Sequence, residues 1–213
     1  MQMRPLPRPE NPCGLSAGWN VRSVMSVARQ QYAGGVVVGD RNVTACRAGR
    51  RAITERLPGI RSSLGLDFVV VNGENATSGV GIIPEHAQNM FSAGADVLTL
   101  GDHAFDQREM LAHIDREPRI LRPLNFAKHA PGQGARVFDA TGGRKVLVAQ
   151  ALGQVFMKRP FDDPFSALDE VLRKHPMGGL VQASIIDIHC EATSEKMAMG
   201  HFCDGRASVV VGT

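Results

Sequence analysis

The chain has 213 residues, 43% of them hydrophobic and 21% charged, with a net charge of +3. That length supports one large domain with a sizeable core, and the composition is ordinary for a globular protein. The small net charge gives no support for a broad nucleic-acid surface, and no apolar stretch approaches the roughly 18 to 20 residues of a membrane helix.

Residues 1–34 carry Pro5, Pro7, Pro9 and Pro12, scattered arginines and Trp19, with no sustained period and no apolar core of a secretory signal. They are expected to be a disordered extension, or sequence upstream of the true start. The domain is expected to occupy residues 35–213. Residues 34–39 (Gly-Gly-Val-Val-Val-Gly) read as a first strand, followed by Asp40. Residues 47–64 then read as a basic amphipathic helix, with Ile53, Leu57, Ile60 and Leu64 at spacings of three and four. Pro58 is expected to bend or divide it.

The next strand, residues 66–71, is short and continuously apolar, as buried strands are. It stops at Asn72-Gly73-Glu74-Asn75. A loop with Gly79 and Gly81 follows, then a helix entered at Pro84 and closed on Gly94. The strand at 96–100 runs into Gly101-Asp102-His103. A helix is expected over 106–116, and residues 120–123 lead to a loop around Asn125. Residues 136–139 and 145–152 read as antiparallel strands about Thr141-Gly142-Gly143. A helix over 164–174 places Phe165, Leu168 and Leu172 on one face. The strand at 183–188 leads through Asp187 to His189, with a short helix at 194–199 and a last strand at 207–211. Strands alternating with helices indicate a layered α/β domain. The four cysteines, Cys13, Cys46, Cys190 and Cys203, show no CxxC pair or disulfide spacing, which suits reduced thiols in the cytoplasm.

Three apolar strands thus end in acids, amides or histidines, where open α/β sheets bind their ligands. Phosphodiester hydrolysis is served by two divalent cations roughly 3.5 to 4 Å apart. Such a pair needs a bridging carboxylate with mixed oxygen and imidazole ligands. Glu74 suits the bridge, with Asp102 and His189 as further ligands. His103 suits a general acid or a phosphate contact. Asp187 either shares the face of His189 or holds an imidazole as its partner. A structural Asx turn is the plainer reading of Glu74 and Asn75. His86, His113, His129 and His175 read as structural, His201 stays open, and Met157, Met197 and Met199 read as packing.

Several motifs together resemble the YmdB-like branch of the calcineurin-like metallophosphoesterases. They are Asn72-Gly73-Glu74-Asn75, Gly101-Asp102-His103 with Phe105-Asp106, and Leu121-Arg122-Pro123-Leu124-Asn125. To these are added Gly153-Gln154-Val155-Phe156-Met157, the stretch from His189 to Lys196, and Asp204-Gly205-Arg206-Ala207-Ser208. The likeness covers about residues 47–213. It implies a layered α/β/β/α fold, two metal ions (usually iron or manganese) and 2′,3′-cyclic-nucleotide phosphodiesterase activity on a small phosphoester substrate. Under it, Glu74 matches the bridging ligand, Asn75 a neighbouring site amide, His103 the catalytic histidine and His189 a metal ligand. Asp102 stands where many members have a metal-binding asparagine, and Asp40 matches the first metal aspartate.

Two departures bear on this. The family continues past Val-Gly-Thr into His-Thr-His, two further ligands. The sequence here stops at Thr213, so the expectation is a sandwich incomplete at its C-terminal end, with its metals incompletely bound. Asp40 is followed by Arg41 to Cys46, a longer connection than the family's. Beside the enzyme, two other readings therefore stand: a truncated, impaired relative, and a nucleotide- or RNA-binding regulator using Arg47, Arg50, Arg51 and Arg56. A membrane partner is not expected, and a homo-oligomer stays open.

Overall fold

The computed structural model describes residues 36–39 and 47–213. The expected extension over 1–34 and the expected ligand Asp40 lie outside the described residues. Four parallel strands form the first sheet, in the order β1 (Val36–Gly39), β2 (Phe68–Asn72), β3 (Val97–Thr99), β4 (Ile120–Leu121). The second sheet runs β5 (Ala135–Asp139), β6 (Lys145–Leu152), β7 (Ala183–His189), β8 (Val209–Gly212). In it β5 and β6 are antiparallel, and β7 and β8 continue parallel to β6. The expected hairpin is present, and Gly142 and Gly143 turn it with φ of 75° and 72°, a region only glycine enters without strain.

Three apolar layers hold the sheets. On the outer face of the first sheet, α1 (Arg47–Leu64), α2 (Pro84–Ser92) and α3 (Arg108–His113) bury Leu57, Met90 and Met110 against Val69, Val71 and Leu98. On the outer face of the second, α4 (Pro164–Lys174) and α5 (Thr193–Phe202) bury Leu168, Leu172 and Met199 against Leu147, Ile186 and Ile188. Between the sheets, Phe68, Val70, Val97 and Leu121 meet Val146, Val148 and Ile185. Alternation along each strand sends these residues inward and their neighbours outward. The result is an α/β/β/α sandwich, as the sequence implied.

Pro58 does not divide helix α1, which runs through it as one element. Leu57 is buried and Ile53 and Ile60 pack on the same core, so both halves are held to one surface while Pro58 faces solvent. At its end Arg61 donates to the Gly94 carbonyl and to Asp96, 2.8 Å away, and Asp96 in turn accepts from Val69 N. Helix α3 is shorter than the expected 106–116. Gln107 is extended before it, and Asp106 is occupied with His103. Helix α4 matches its expected span: Pro164 opens it and Asp163 caps it, accepting from Phe165 N and Ser166 N.

Candidate metal centre

The inter-sheet space changes character along the strands. The apolar residues above give way to a polar layer of Asn72, Thr99, Gln150 and Asp187, all buried. One further step along, at the carboxyl ends, lie Glu74, Asp102, His103 and His189. Period-two alternation places Asp187 and His189 on one face of β7 and carries Ile185 with them.

Asn72 starts the first arm. Its Oδ1 accepts from Glu74 N at 3.2 Å, closing an Asx turn, while Gly73 N donates to the Thr99 carbonyl. The Asx turn expected of Glu74 and Asn75 is therefore built by the residue before them, and Asn75 sits half-buried in the turn that follows. The Glu74 side chain is fully buried and lies directly over Gly101, where a Cβ would overlap its carboxyl atoms. The bare α-carbon of Gly101 thus makes room for the carboxylate.

Asp102 and His103 follow on the same loop. His189, 1% exposed, reaches both arms of the first sheet: its Nδ1 lies 3.1 Å from Glu74 Oε2 and its Nε2 3.4 Å from Asp102 Oδ1. The hydrogen bond from His189, then that from Glu74 and the neighbouring imidazoles, hold the Asp102 carboxyl far below its ordinary range, against the opposing effect of burial. One ligating atom from each of Glu74, Asp102 and His103 lies within 4.8 Å of the others. His103 Nδ1 is 2.6 Å from Asp106 Oδ2, which leaves Nε2 as its working nitrogen.

The structure thus brings Glu74, Asp102, His103 and His189 together. Asp187 shares the face of His189 but does not serve it. Its hydrogen bonds come from Asn72, Thr99, Gln150 and Thr213. Sequence reading gave no role to Thr99 and Gln150, and none to Gly101 beyond its motif; for the first two, a lone polar residue within the apolar runs Val-Leu-Thr-Leu and Val-Ala-Gln-Ala was the available signal. Arg122 and Asn125, from the quoted loop motif, are structural. Arg122 donates to the carbonyls of Pro123, Leu124, Ala130 and Pro131, and Asn125 clips Leu152 to Asp162. His86 pairs with Thr77 and His175 with the Val171 carbonyl, while His201 lines a shallow surface depression with Met197 and Asp204. Of the arginines considered for RNA, Arg50 donates to the Ala76 carbonyl and Arg51 pairs with Glu55. Cys190 and Cys203 are buried free thiols. Among the described residues no helix is long and apolar enough to cross a membrane.

The donor set of carboxylates and imidazoles suits a divalent first-row metal ion. Gly101, open where a Cβ would displace Glu74, keeps that carboxylate within reach of the other ligands. The residues present fit a metal.

Two packed sheets flanked by helices, with acids and histidines meeting at their carboxyl ends, define the metallophosphoesterase fold. Residues 37–213 match the family of YmdB-like proteins, and the chain belongs to it. It is 38% identical over 165 residues to a 2′,3′-cyclic-nucleotide 2′-phosphodiesterase of Bacillus subtilis, covering 78% of this chain and 61% of that protein. Among solved structures, a hypothetical protein from Thermus thermophilus superposes with a TM-score of 0.71 at 40% identity, over 78% of this chain and 63% of the other. A structure described as a novel phosphatase, from Mycoplasma pneumoniae, superposes with a TM-score of 0.71 at 33% identity, over 78% and 59%. The chain spans about three-fifths of the length of these relatives.

Proposed function

We propose that this chain carries the metal-dependent phosphodiesterase centre of its family, hydrolysing 2′,3′-cyclic nucleotides or related small phosphoesters in the cytoplasm. The observation that supports this best is the meeting of Glu74 and Asp102 from one sheet with His189 from the other, beside His103. Glu74, Asp102 and His189 would hold two divalent cations, iron or manganese. Such ions, when bound, neutralise phosphate charge and make bound water more acidic.

In the overall reaction the oxygen of water bonds to phosphorus and one ester P–O bond breaks, giving a phosphomonoester and a free ribose hydroxyl. The chain's own part is to handle protons and to orient the ester. Asp106 fixes the His103 ring by accepting at Nδ1. Nε2 then delivers the proton that the departing ribose oxygen needs, a contribution of about 10²–10⁴ in rate. The apolar layer beneath the site closes the inter-sheet space below it.

The test is hydrolysis of 2′,3′-cyclic AMP by manganese-loaded protein, followed by chromatography, with His103→Gln alongside. Turnover that falls at least 10²-fold in His103→Gln while manganese is still taken up supports the assignment. Folded protein that takes up no manganese or iron and hydrolyses nothing overturns it.

A further inference from the structure

Asp187 is a carboxylate buried to 1% exposure, and its four hydrogen-bond donors are all uncharged. Oδ2 accepts from Thr99 Oγ1 at 2.6 Å, from Asn72 Nδ2 at 3.0 Å and from Gln150 Nε2 at 3.0 Å. Oδ1 accepts from Thr213 Oγ1 at 2.9 Å. Burying a charge without an opposite charge is costly, and full hydrogen bonding only offsets that cost. Stability alone is a poor reason for such a group, since apolar residues fill the same inter-sheet space one step below.

The placement of the donors gives a better reason. Asn72 stands two residues before Glu74, Thr99 two before Gly101 and three before Asp102, and Asp187 itself two before His189. Each arm of the metal centre is therefore joined to this one carboxylate just before it enters the cleft. The link through Asn72 is the most direct. Donating through Nδ2 to Asp187 fixes which way the amide faces, and that leaves Oδ1 to accept from Glu74 N. Through Thr99 the same oxygen holds the end of β3, whose carbonyl receives Gly73 N. A single acceptor thus sets the register between the arms of the first sheet and the imidazole of the second.

We propose that Asp187 is a positioning residue for the centre: it aligns Glu74 and Asp102 with His189, acting through Asn72 and Thr99, without touching metal or substrate. This rests on the metal reading above only for the affinity measured. Asp187→Leu fills about the same space with no acceptor, so the Asn72 amide and Thr99 hydroxyl lose their common partner. The experiment compares the wild-type chain, Asp187→Leu and Leu168→Ala, the last being a core truncation on α4 that leaves the polar layer intact. Manganese affinity is read by titration calorimetry, stability by thermal melting, and His189 ring signals by nitrogen-edited NMR without metal.

Asp187→Leu is expected to weaken manganese binding about 10- to 100-fold and to shift the His189 signals. Leu168→Ala melts lower with affinity and His189 signals unchanged. Thr99→Val, which deletes one donor, serves if Asp187→Leu does not fold, and is expected to weaken binding about threefold or more, below the full effect. Asp187→Leu with wild-type affinity and unmoved His189 signals overturns the proposal, as does equal weakening in Leu168→Ala. If the wild-type chain takes up no manganese, the metal reading fails, and the His189 signals of the metal-free variants decide the positioning role by themselves.

Discussion

Replacing Gly101 by alanine puts a methyl group where the Glu74 carboxylate now lies. A Cβ built there overlaps Cδ and both oxygens of Glu74, whereas ordinary contact begins at 3.4 Å. The carboxylate must therefore retreat by more than about 1 Å, and a misplacement of that size costs about 10²-fold in rate. Gly101 has no positive φ, so alanine adds no backbone strain and the clash acts alone. Packing strain of about 1–3 kcal/mol is expected as well, or about 2–12 °C in melting temperature for a domain of this size. Gly200 in α5 is the control, because nothing lies within 4 Å of a Cβ added there. Alanine at Gly200 should raise stability by about 0.5–1 kcal/mol with manganese uptake unchanged. Hydrolysis of bis(4-nitrophenyl) phosphate and calorimetric titration with manganese read the two variants. Gly101→Ala protein that binds manganese and turns over like the wild type would refute the placement of Glu74.

Two further predictions concern the helices. Asp163→Ala removes the cap of α4 and should cost about 1 kcal/mol near neutral pH, read as a drop of about 2–4 °C on melting. The Ser166 hydroxyl, then the amides of Phe165 and Ser166, lower the Asp163 carboxyl below 3.8 in the folded chain. Its stabilisation is thus complete above that value and is lost as pH falls through the lower folded one, so the gap between wild type and variant should close only in acid. A gap independent of pH would count against the cap. Pro58→Ala restores the missing amide donor of α1 at an exposed position, and removes a residue that is worth up to about 3 kcal/mol less than alanine in a helix interior. Part of that gain is offset by the freer unfolded chain, about 0.4–1 kcal/mol. A higher melting temperature is expected; a lower one would show that the proline supports the helix in some other way.

The strands and most helices were legible because hydrophobic period reports which faces are buried. The runs at β2 and β7 and the pattern Phe165, Leu168, Leu172 of α4 left little choice of element. Pro58 does not divide α1, because the packing of Ile53, Leu57 and Ile60 on one core overrides its local propensity. The site was legible to the extent that its residues end strands: Glu74, Asp102, His103 and His189 announce themselves by type and place. Asp187 was visible as an acid two residues before His189, but its burial and its partners were not. Asn72, Thr99 and Gln150 come from three strands, and pairing across two sheets leaves no mark on local spacing. Gly101 was quoted for its motif, yet its purpose depends on what a neighbouring loop lays over it.

The closure of the cleft across two sheets has a consequence for how the chain matures. Asn72 and Asp187 are separated by 115 positions. At a synthesis rate of about 5–20 residues per second, their meeting waits roughly 6–23 s after Asn72 is made. Throughout that interval the first sheet can form with its two acids facing open water and no imidazole opposite. The nascent first sheet then holds Glu74, Asp102 and His103 without His189, and the four side chains stand together only in the finished fold.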